Sequence, residues 1–582
     1  MCALASVARA QVAVFSGPGA QTSLGGGGSR MVLLAKGQYV VFYNNGAGVD
    51  YVTSLDAVTF STPQPASTTP ASYGFSAAQH GNTLGFVWAN SDATGFSLWY
   101  REATITAGSV TFGAPTLVTS HAVDTRGYQA TLAFSAGGTP YIAALEYGQA
   151  YVGPAGPGCG ALGRYRPIHY LLQNGTWMMR GYCNNFDTIR DPNSISIAPS
   201  GQNMIVSSSI DANMSTVIAG DAGELGEPWH MVPAVDHLLP GQISTVQSIT
   251  TDTDVHVLYR DGAGTLSYGR QDGTNLDLNG VLADVTVLNS AARNPALSRP
   301  LASTGCYVAA YTVGNSIRVR TFSSTIASLS AERTLFTSTT APNNLSAELE
   351  NATAPALMWQ DGTSILFGFA AAGARPTLAA TPAQLPADGT SMIDVTSTPF
   401  LDACGAPIPE GTLVTVTTTT GSIVDFDASS EFAGTQVPAD SSGRVTFAVR
   451  VGMTGGPATI AAMPITGGTN AQIGVTLTMV PPGCGDAMLD MPNGEQCDSG
   501  GVDTATCNGA NCQAPRCGDG YVNFAAGEQC ETGELCDMAS CKFTFTIGGG
   551  CHGCGASGPG SALSSIACLA FVMRRRRRHL NQ

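Results

Sequence analysis

GQYVVFYNN (37–45), GNTLGFVWAN (81–90), TPYIAALEYG (139–148), QNMIVSSSID (202–211), DTDVHVLYRD (252–261), GCYVAAYTVG (305–314) and APALMWQDG (354–362) are seven related strand-like runs. Their centres recur roughly every 45 to 63 residues. A second run follows most of them about ten residues later: VDYVTSL, FSLWYREA, TLSYGRQ, SIRVRTF and SILFGF. A third feature is an aromatic after Thr or Pro, as in Thr59-Phe60, Thr111-Phe112, Thr176-Trp177 and Pro228-Trp229. Three or four short strands per period of about 50 residues predict the blades of a β-propeller. Each blade buries its faces only against its neighbours, so the ring must close. Six or seven blades are expected over 11–373. The seventh unit is short, and an N-terminal strand near Gln11 to Phe15 is the segment available to complete it.

The repeat resembles sialidase-like and arabinanase-like propellers, with Ser54-Leu55-Asp56-Ala57-Val58-Thr59-Phe60 as its nearest match to their Asp-box phrase, one residue short in spacing. The resemblance implies either a glycoside hydrolase or a binding relative of one. A sialidase needs three arginines on a carboxylate and a Tyr/Glu pair. Arg101, Arg126, Arg164, Arg166, Arg180 and Arg190 fall in the right region, but Tyr165-Arg166-Pro167-Ile168 scrambles the expected context. Glycoside hydrolysis needs two carboxylates at a set separation. Asp124, Glu146, Asp187 and Asp191 are candidates, and sequence does not place them on one face. No catalytic set is assigned, and non-catalytic recognition of a glycan or surface protein is the leading expectation. Cys159 and Cys183 bracket an insertion in the third unit and are expected to form a disulfide. Within it Tyr165, Arg166, His169, Tyr170 and Trp177 are candidate ligand contacts, with ordinary aromatic packing as the alternative.

Residues 376–480 change character. In RVTFAVRV (444–451), Val445, Phe447, Val449 and Val451 share one face, and in IGVTLTM (473–479) so do Ile473, Val475, Leu477 and Met479. Alternation with period two predicts half-buried antiparallel strands, as in a sandwich. Ala387-Asp388-Gly389-Thr390-Ser391, Asp402-Ala403-Cys404-Gly405-Ala406-Pro407-Ile408 and Asp440-Ser441-Ser442-Gly443 resemble the turns of bacterial immunoglobulin-like domains of invasin/intimin type. That resemblance implies a spacer with no active site.

After Pro481-Pro482, over 482–545, two units repeat at about 33 residues. One carries Cys484, Cys497, Cys507 and Cys512, the other Cys517, Cys530, Cys536 and Cys541. Four cysteines in a short unit without a core imply two disulfides each in an oxidising compartment, and three pairings per unit are open. Zinc is the alternative, although CxxC pairs and histidine are missing. Glu495, Asp498, Glu528 and Glu531 read as solvated acids or as weak Ca²⁺ ligands; no other cofactor is expected. The units resemble the myxobacterial cysteine-rich disulfide repeat.

The chain ends GGGCHGCGASGPGSALSSIACLAFVMRRRRRHLNQ (548–582). The apolar run 561–573 would form a helix of only ~20 Å, short of a ~30 Å hydrocarbon core. Arg574, Arg575, Arg576, Arg577 and Arg578 follow it as a membrane stop. The pattern resembles the myxobacterial C-terminal sorting tag of MYXO-CTERM type. It implies a short transmembrane helix, a sorting protease acting near Cys551 or Cys554, and display at the cell surface. Ala8-Arg9-Ala10 before Gln11 fits a signal-peptidase site, so 1–10 reads as a signal-peptide remnant.

Composition agrees with export. Of 582 residues only 12% are charged, and the formal net charge is −15. The two lysines are Lys36 and Lys542. Removal of the tail would take five arginines and no acid, leaving a still more acidic chain, which argues against nucleic acid as a partner. The expectation is therefore an all-β chain: propeller, immunoglobulin-like sandwich, disulfide stalk, membrane tag.

Overall fold

The computed structural model describes most of residues 11–544; 18–31, 122–129, 148–164, 182–193, 221–242, 273–282 and several shorter breaks lie outside it, as do 1–10 and 545–582. The described chain is built from strands, with one short 3-10 turn at Phe524–Ala526. It divides into two compact units, 1–479 and 480–582.

Seven antiparallel up-and-down sheets occupy the first part of unit one. The first contains Val32–Ala35, Gln38–Asn44, Val49–Ser54 and Gln64–Pro65. The second contains Phe75–His80, Thr83–Asp92, Gly95–Thr106 and Ser109–His121. The third runs from Ala130–Phe134 to Thr176–Gly181, and the fourth has three described strands between Ser194 and Gly220. The fifth spans Ile243–Thr250 to Ala283–Asn289, and the sixth Arg293–Ser298 to Arg333–Thr337. In the seventh, Asn343–Ala347, Ala356–Asp361 and Ser364–Phe369 are joined by Val12–Ser16 from the start of the chain. Val12 pairs with Phe367 and Ser16 with Ser364. Each sheet touches the next through its first strand, and the seventh touches the first, so the ring closes as a β-propeller of seven blades.

Alternation along the strands explains the ring. In blade six, Val308, Ala310, Ile317 and Val319 pack with Leu357 and Trp359 of blade seven. The intervening Tyr307, Ala309, Tyr311 and Phe322 pack with Leu258, Leu266 and Tyr268 of blade five. Both faces of a blade are therefore interior, which is why the runs read as apolar throughout. Aromatic pairs mark the seams: Phe42 stacks on Phe86 at 5.1 Å between blades one and two, and Phe336 on Trp359 at 4.8 Å between six and seven. Gly368 is where that last seam is closest. A Cβ there would sit 2.4 Å from the Phe336 ring, so only glycine fits.

Residues 378–478 form two facing sheets. One has the order Leu378–Thr381, Met392–Ser397, Thr446–Arg450, Ser422–Ile423. The other has Gln384–Pro386, Ala471–Thr478, Gly456–Pro464, Leu413–Thr418, Thr435–Pro438. Val445, Phe447, Val449 and Val451 share their core with Val475 and Leu477, as the alternation requires. Asp388, Asp402 and Asp440 each close a turn by accepting backbone N–H groups two to four residues on.

The sandwich is docked on the ring. Met463 enters the core of the ring's first blades. Thr353 N donates to Thr466 O at 2.8 Å, and Gly468 N to the Tyr39 hydroxyl at 2.8 Å. Arg375 Nε donates to Asn470 O at 2.8 Å, and Arg333 reaches Ala371 O and Ala403 O. A disulfide joins Cys306, just before the second strand of blade six, to Cys404 in the Asp402 turn of the sandwich. Sequence reading assigned neither cysteine a partner. They stand 98 residues apart in modules of different pattern.

In the second unit the cystines themselves are the interior. Cys507, Cys512, Cys530 and Cys541 are buried, whereas Leu489, Met491, Val502, Phe524 and Met538 are exposed. The pairing is nested in both repeats: Cys484–Cys512 around Cys497–Cys507, and Cys517–Cys541 around Cys530–Cys536. All eight sulfurs are in cystines, so the zinc alternative has no thiolate to use. Among the described residues no helix is long and apolar enough to cross a membrane. The run 561–573, Arg574 to Arg578, Cys551 and Cys554 lie outside the described residues, as do Cys159 and Cys183.

Candidate functional site

The expected ligand contacts divide on inspection. Tyr170 is 1% exposed, in the core between blades two and three with Leu132 and Ile142. A ring so placed packs the seam and offers no surface to a ligand, which corrects its assignment. Trp177 stands edge-on to Tyr100 at 5.0 Å, across the same seam. Its indole N–H points at the Thr116 hydroxyl at 3.4 Å. Packing, the alternative raised for this group, accounts for both. Tyr165, Arg166 and His169 lie on the strand Tyr165–Gln173, and their side chains are outside the described residues. The same holds for Glu146, Arg180, Asp124, Arg126, Arg164, Asp187, Arg190 and Asp191.

Arg101 is described, and it is occupied. Its Nε donates to Gly113 O at 2.7 Å and its Nη1 to Pro65 O and Ala66 O. Its guanidinium lies 4.9 Å from the Phe112 centroid. It ties blade two to blade one, and burial lowers its affinity for its proton. The Asp-box-like phrase is also a structural device. Asp56 Oδ1 accepts from Val58 N and Thr59 N, and Ser54 Oγ accepts from Ala57 N. The turn delivers Phe60 edge-on to Phe367 of blade seven at 5.4 Å.

A denser polar cluster sits between blades five and six, and sequence reading did not find it. Arg318 and Arg320 project from the strand Ser316–Phe322 on the face opposite Ile317 and Val319. Arg318 is in register with Tyr311 on the neighbouring strand. Glu332 collects three donors: Arg318 Nη1 on Oε1, and Tyr311 hydroxyl (2.6 Å) and Asn289 Nδ2 (2.7 Å) on Oε2. Asn289 comes from the outer strand of blade five, so the cluster bridges two blades. Arg320 faces the Tyr311 hydroxyl as well. Arg318 Nε and Arg320 Nε are buried with no acceptor among the described residues.

The electrostatics follow from this wiring. Burial alone would raise the Glu332 carboxyl; bonds from Tyr311, Arg318 and Asn289 outweigh it and hold the group below the usual carboxylate range. Burial first, then the Glu332 bond and charge, pushes the Tyr311 phenol well above its usual value. A carboxylate held ionised is a poor proton donor, and a phenol held protonated and 0% exposed is a poor nucleophile. Two guanidiniums against one carboxylate leave one positive charge over. Arg318 keeps about a third of its side chain in contact with solvent (32%). The arrangement suits donating hydrogen bonds to an oxygen-rich ligand.

No known protein family matches the sequence. No curated protein matches it. Solved structures similar in fold include the BP39L lectin from Burkholderia pseudomallei, at 11% identity and TM-score 0.43, covering 66% of this chain and 99% of that one. A Trypanosoma rangeli sialidase mutant displaying trans-sialidase activity aligns at 9% identity and TM-score 0.35, covering 78% and 86%. An α-L-arabinofuranosidase from Podospora anserina aligns at 9% and 0.26, covering 41% and 89%. Lectin and glycosidase stand side by side in this comparison, and likeness at this level transfers neither a ligand nor an activity.

Proposed function

We propose that this is an exported, surface-displayed modular protein whose propeller binds a glycan or a surface protein without chemical turnover. The observation that supports it is the cluster between blades five and six. It offers guanidinium donors and a surplus positive charge, while its acid and its phenol are held in states unsuited to acid–base or nucleophilic chemistry. The sandwich is read as an immunoglobulin-like domain of invasin/intimin type on its three aspartate turns. The C-terminal segment is read as a MYXO-CTERM-type sorting tag, with membrane insertion through 561–573, cleavage by a sorting protease near Cys551 or Cys554, and delivery to the cell surface.

A glycan array run beside an aryl-glycoside assay tests the binding reading. The wild-type protein is expected to retain ligand and release no aryl group. Arg320→Ala should weaken retention about tenfold or more, the range for loss of a charged hydrogen bond. Release of the aryl group above background would overturn the non-catalytic reading in favour of a glycoside hydrolase. Mass spectrometry of the mature C-terminus tests the tag: a product still carrying Arg574 to Arg578 would sink it.

A further inference from the structure

Three acids of the disulfide repeats are buried rather than solvated. Glu495, Glu528 and Glu531 are 3%, 5% and 8% exposed. Each repeat carries the phrase Glu-Gln-Cys-Asp or Glu-Gln-Cys-Glu around its second cysteine, at 495–498 and 528–531. The fold brings the two acids of each phrase together. Carboxylate oxygens of Glu528 and Glu531 lie within 4.8 Å of one another and of Cys541 Sγ; those of Glu495 and Asp498 do the same beside Cys512 Sγ. Both sulfurs are locked in cystines, so the available donors are all oxygen.

Backbone donors orient these groups. Glu531 Oε2 accepts from Gly518 N at 2.8 Å and Gly520 N at 3.0 Å. Glu528 Oε2 accepts from Asn523 N at 2.7 Å. Asp498 takes the matching position in the first repeat, accepting from Gly485 N at 3.0 Å and Gly500 N at 2.7 Å. The other oxygen of Glu531, Oε1, is buried and has no hydrogen-bond partner among the described residues. A buried carboxylate oxygen without a donor, beside a second buried carboxylate, calls for a positive charge. Among the described residues of 484–544 the cations are Arg516 and Lys542, and no ion pair joins either to Glu528 or Glu531.

We propose that the second repeat holds one Ca²⁺ ion, between Glu528 and Glu531. Hard oxygen donors without a usable sulfur or imidazole select Ca²⁺ over zinc or copper, and water completes the shell. The ion neutralises the paired charges and ties the segment around the second cysteine to the turn after the first. It supplements the cystines in units that lack an apolar core. This site is independent of whatever the propeller binds.

Calcium titration of the full chain by calorimetry tests it, with free-thiol counting as a check that the cystines remain intact. The expected stoichiometry at this site is one ion per chain. Glu531→Gln keeps an oxygen for Gly518 N and Gly520 N but removes the charge, and should abolish that uptake. With free Ca²⁺ at ten times Kd, opening of the second repeat to reductant should slow about tenfold. Absence of uptake by the wild-type chain at millimolar Ca²⁺ would overturn the proposal. So would a Glu531→Gln variant, cystines intact, that still takes up the ion.

Discussion

Trp88 and Trp359 are wholly buried in the ring, whereas Phe524 in the second disulfide repeat is 76% exposed. The difference follows from size and closure. Seven blades face one another around a ring, so every middle strand has two apolar faces to cover and two neighbours to cover them. A repeat of about 33 residues has too little surface to enclose an interior, and covalent links replace it. What each region buries differs accordingly. The ring buries aromatic rings at its seams. The repeats bury half-cystines and carboxylates, the latter gripped by backbone N–H groups. The first region draws its stability from area removed from water, the second from restricting the unfolded chain.

Reduction should separate the two most sharply. The four cystines of the repeats close loops with sequence separations of 28, 10, 24 and 6. With each worth up to about 3 kcal/mol by loop closure, their loss should unfold 484–544 completely. Limited proteolysis after thiol treatment is expected to cut there first, while the near-ultraviolet circular dichroism of the ring persists. Loss of the ring signal at the same reductant concentration would refute the contrast.

Cys306→Ser with Cys404→Ser asks whether the first unit also depends on a cross-link. Opening a loop of 98 residues predicts a loss of about 4 to 5 kcal/mol in the chain-entropy account. The Thr353–Thr466 main-chain bond and the bond from Gly468 N to the Tyr39 hydroxyl should keep the sandwich docked, so the urea midpoint should fall without a second transition. A separate sandwich transition would mean that the disulfide alone holds the modules together. Trp359→Ala removes the seam between blades six and seven and should cost about 3 to 5 kcal/mol, read in the same urea titration. An effect below 1 kcal/mol would contradict a ring stabilised at its seams.

Acid provides the mildest test. Asp361 accepts bonds from the backbone and hydroxyls of Thr339 and Thr340, and Asp388 does the same for Thr390 and Ser391. In both, burial raises the carboxyl and these bonds more than reverse it, so the folded value lies below the ordinary one. A depressed folded value contributes stability above the unfolded value, near 4, and loses it as pH falls through the folded value. Stability of the first unit should therefore be flat from neutrality to about pH 5 and decline below pH 4. Asp361→Asn should lower the plateau by about 1 to 2 kcal/mol and flatten the decline. A decline unchanged in the variant would remove Asp361 from the explanation.

Much of the architecture was legible because strand periodicity is local. YVAAYTV and SIRVRTF read as strands from their residues alone, and recurrence supplied the blade count within one. The alternation at Val445 to Val451 likewise marked a buried face. The polar cluster was not legible, because Asn289, Tyr311, Arg318 and Glu332 come from four segments and meet only across a seam. In sequence, Arg318 and Arg320 look like the outward side of an ordinary amphipathic strand. Tyr170 failed in the opposite direction: an aromatic beside arginine and histidine reads as a binding residue until its neighbours are known.

By itself the sequence determined the all-β class, the ring of repeats, the sandwich pattern and the presence of cross-linked units, because each is written in residues close along the chain. It also carried the terminal signals from which export is proposed. Tertiary structure decided that Cys306 pairs with Cys404 and that the cystines of the repeats are nested. It also decided that Glu528 and Glu531 are buried rather than solvated. These outcomes depend on distance in space between residues far apart or differently oriented. Local pattern contains no term for that, and only the packed chain supplies it.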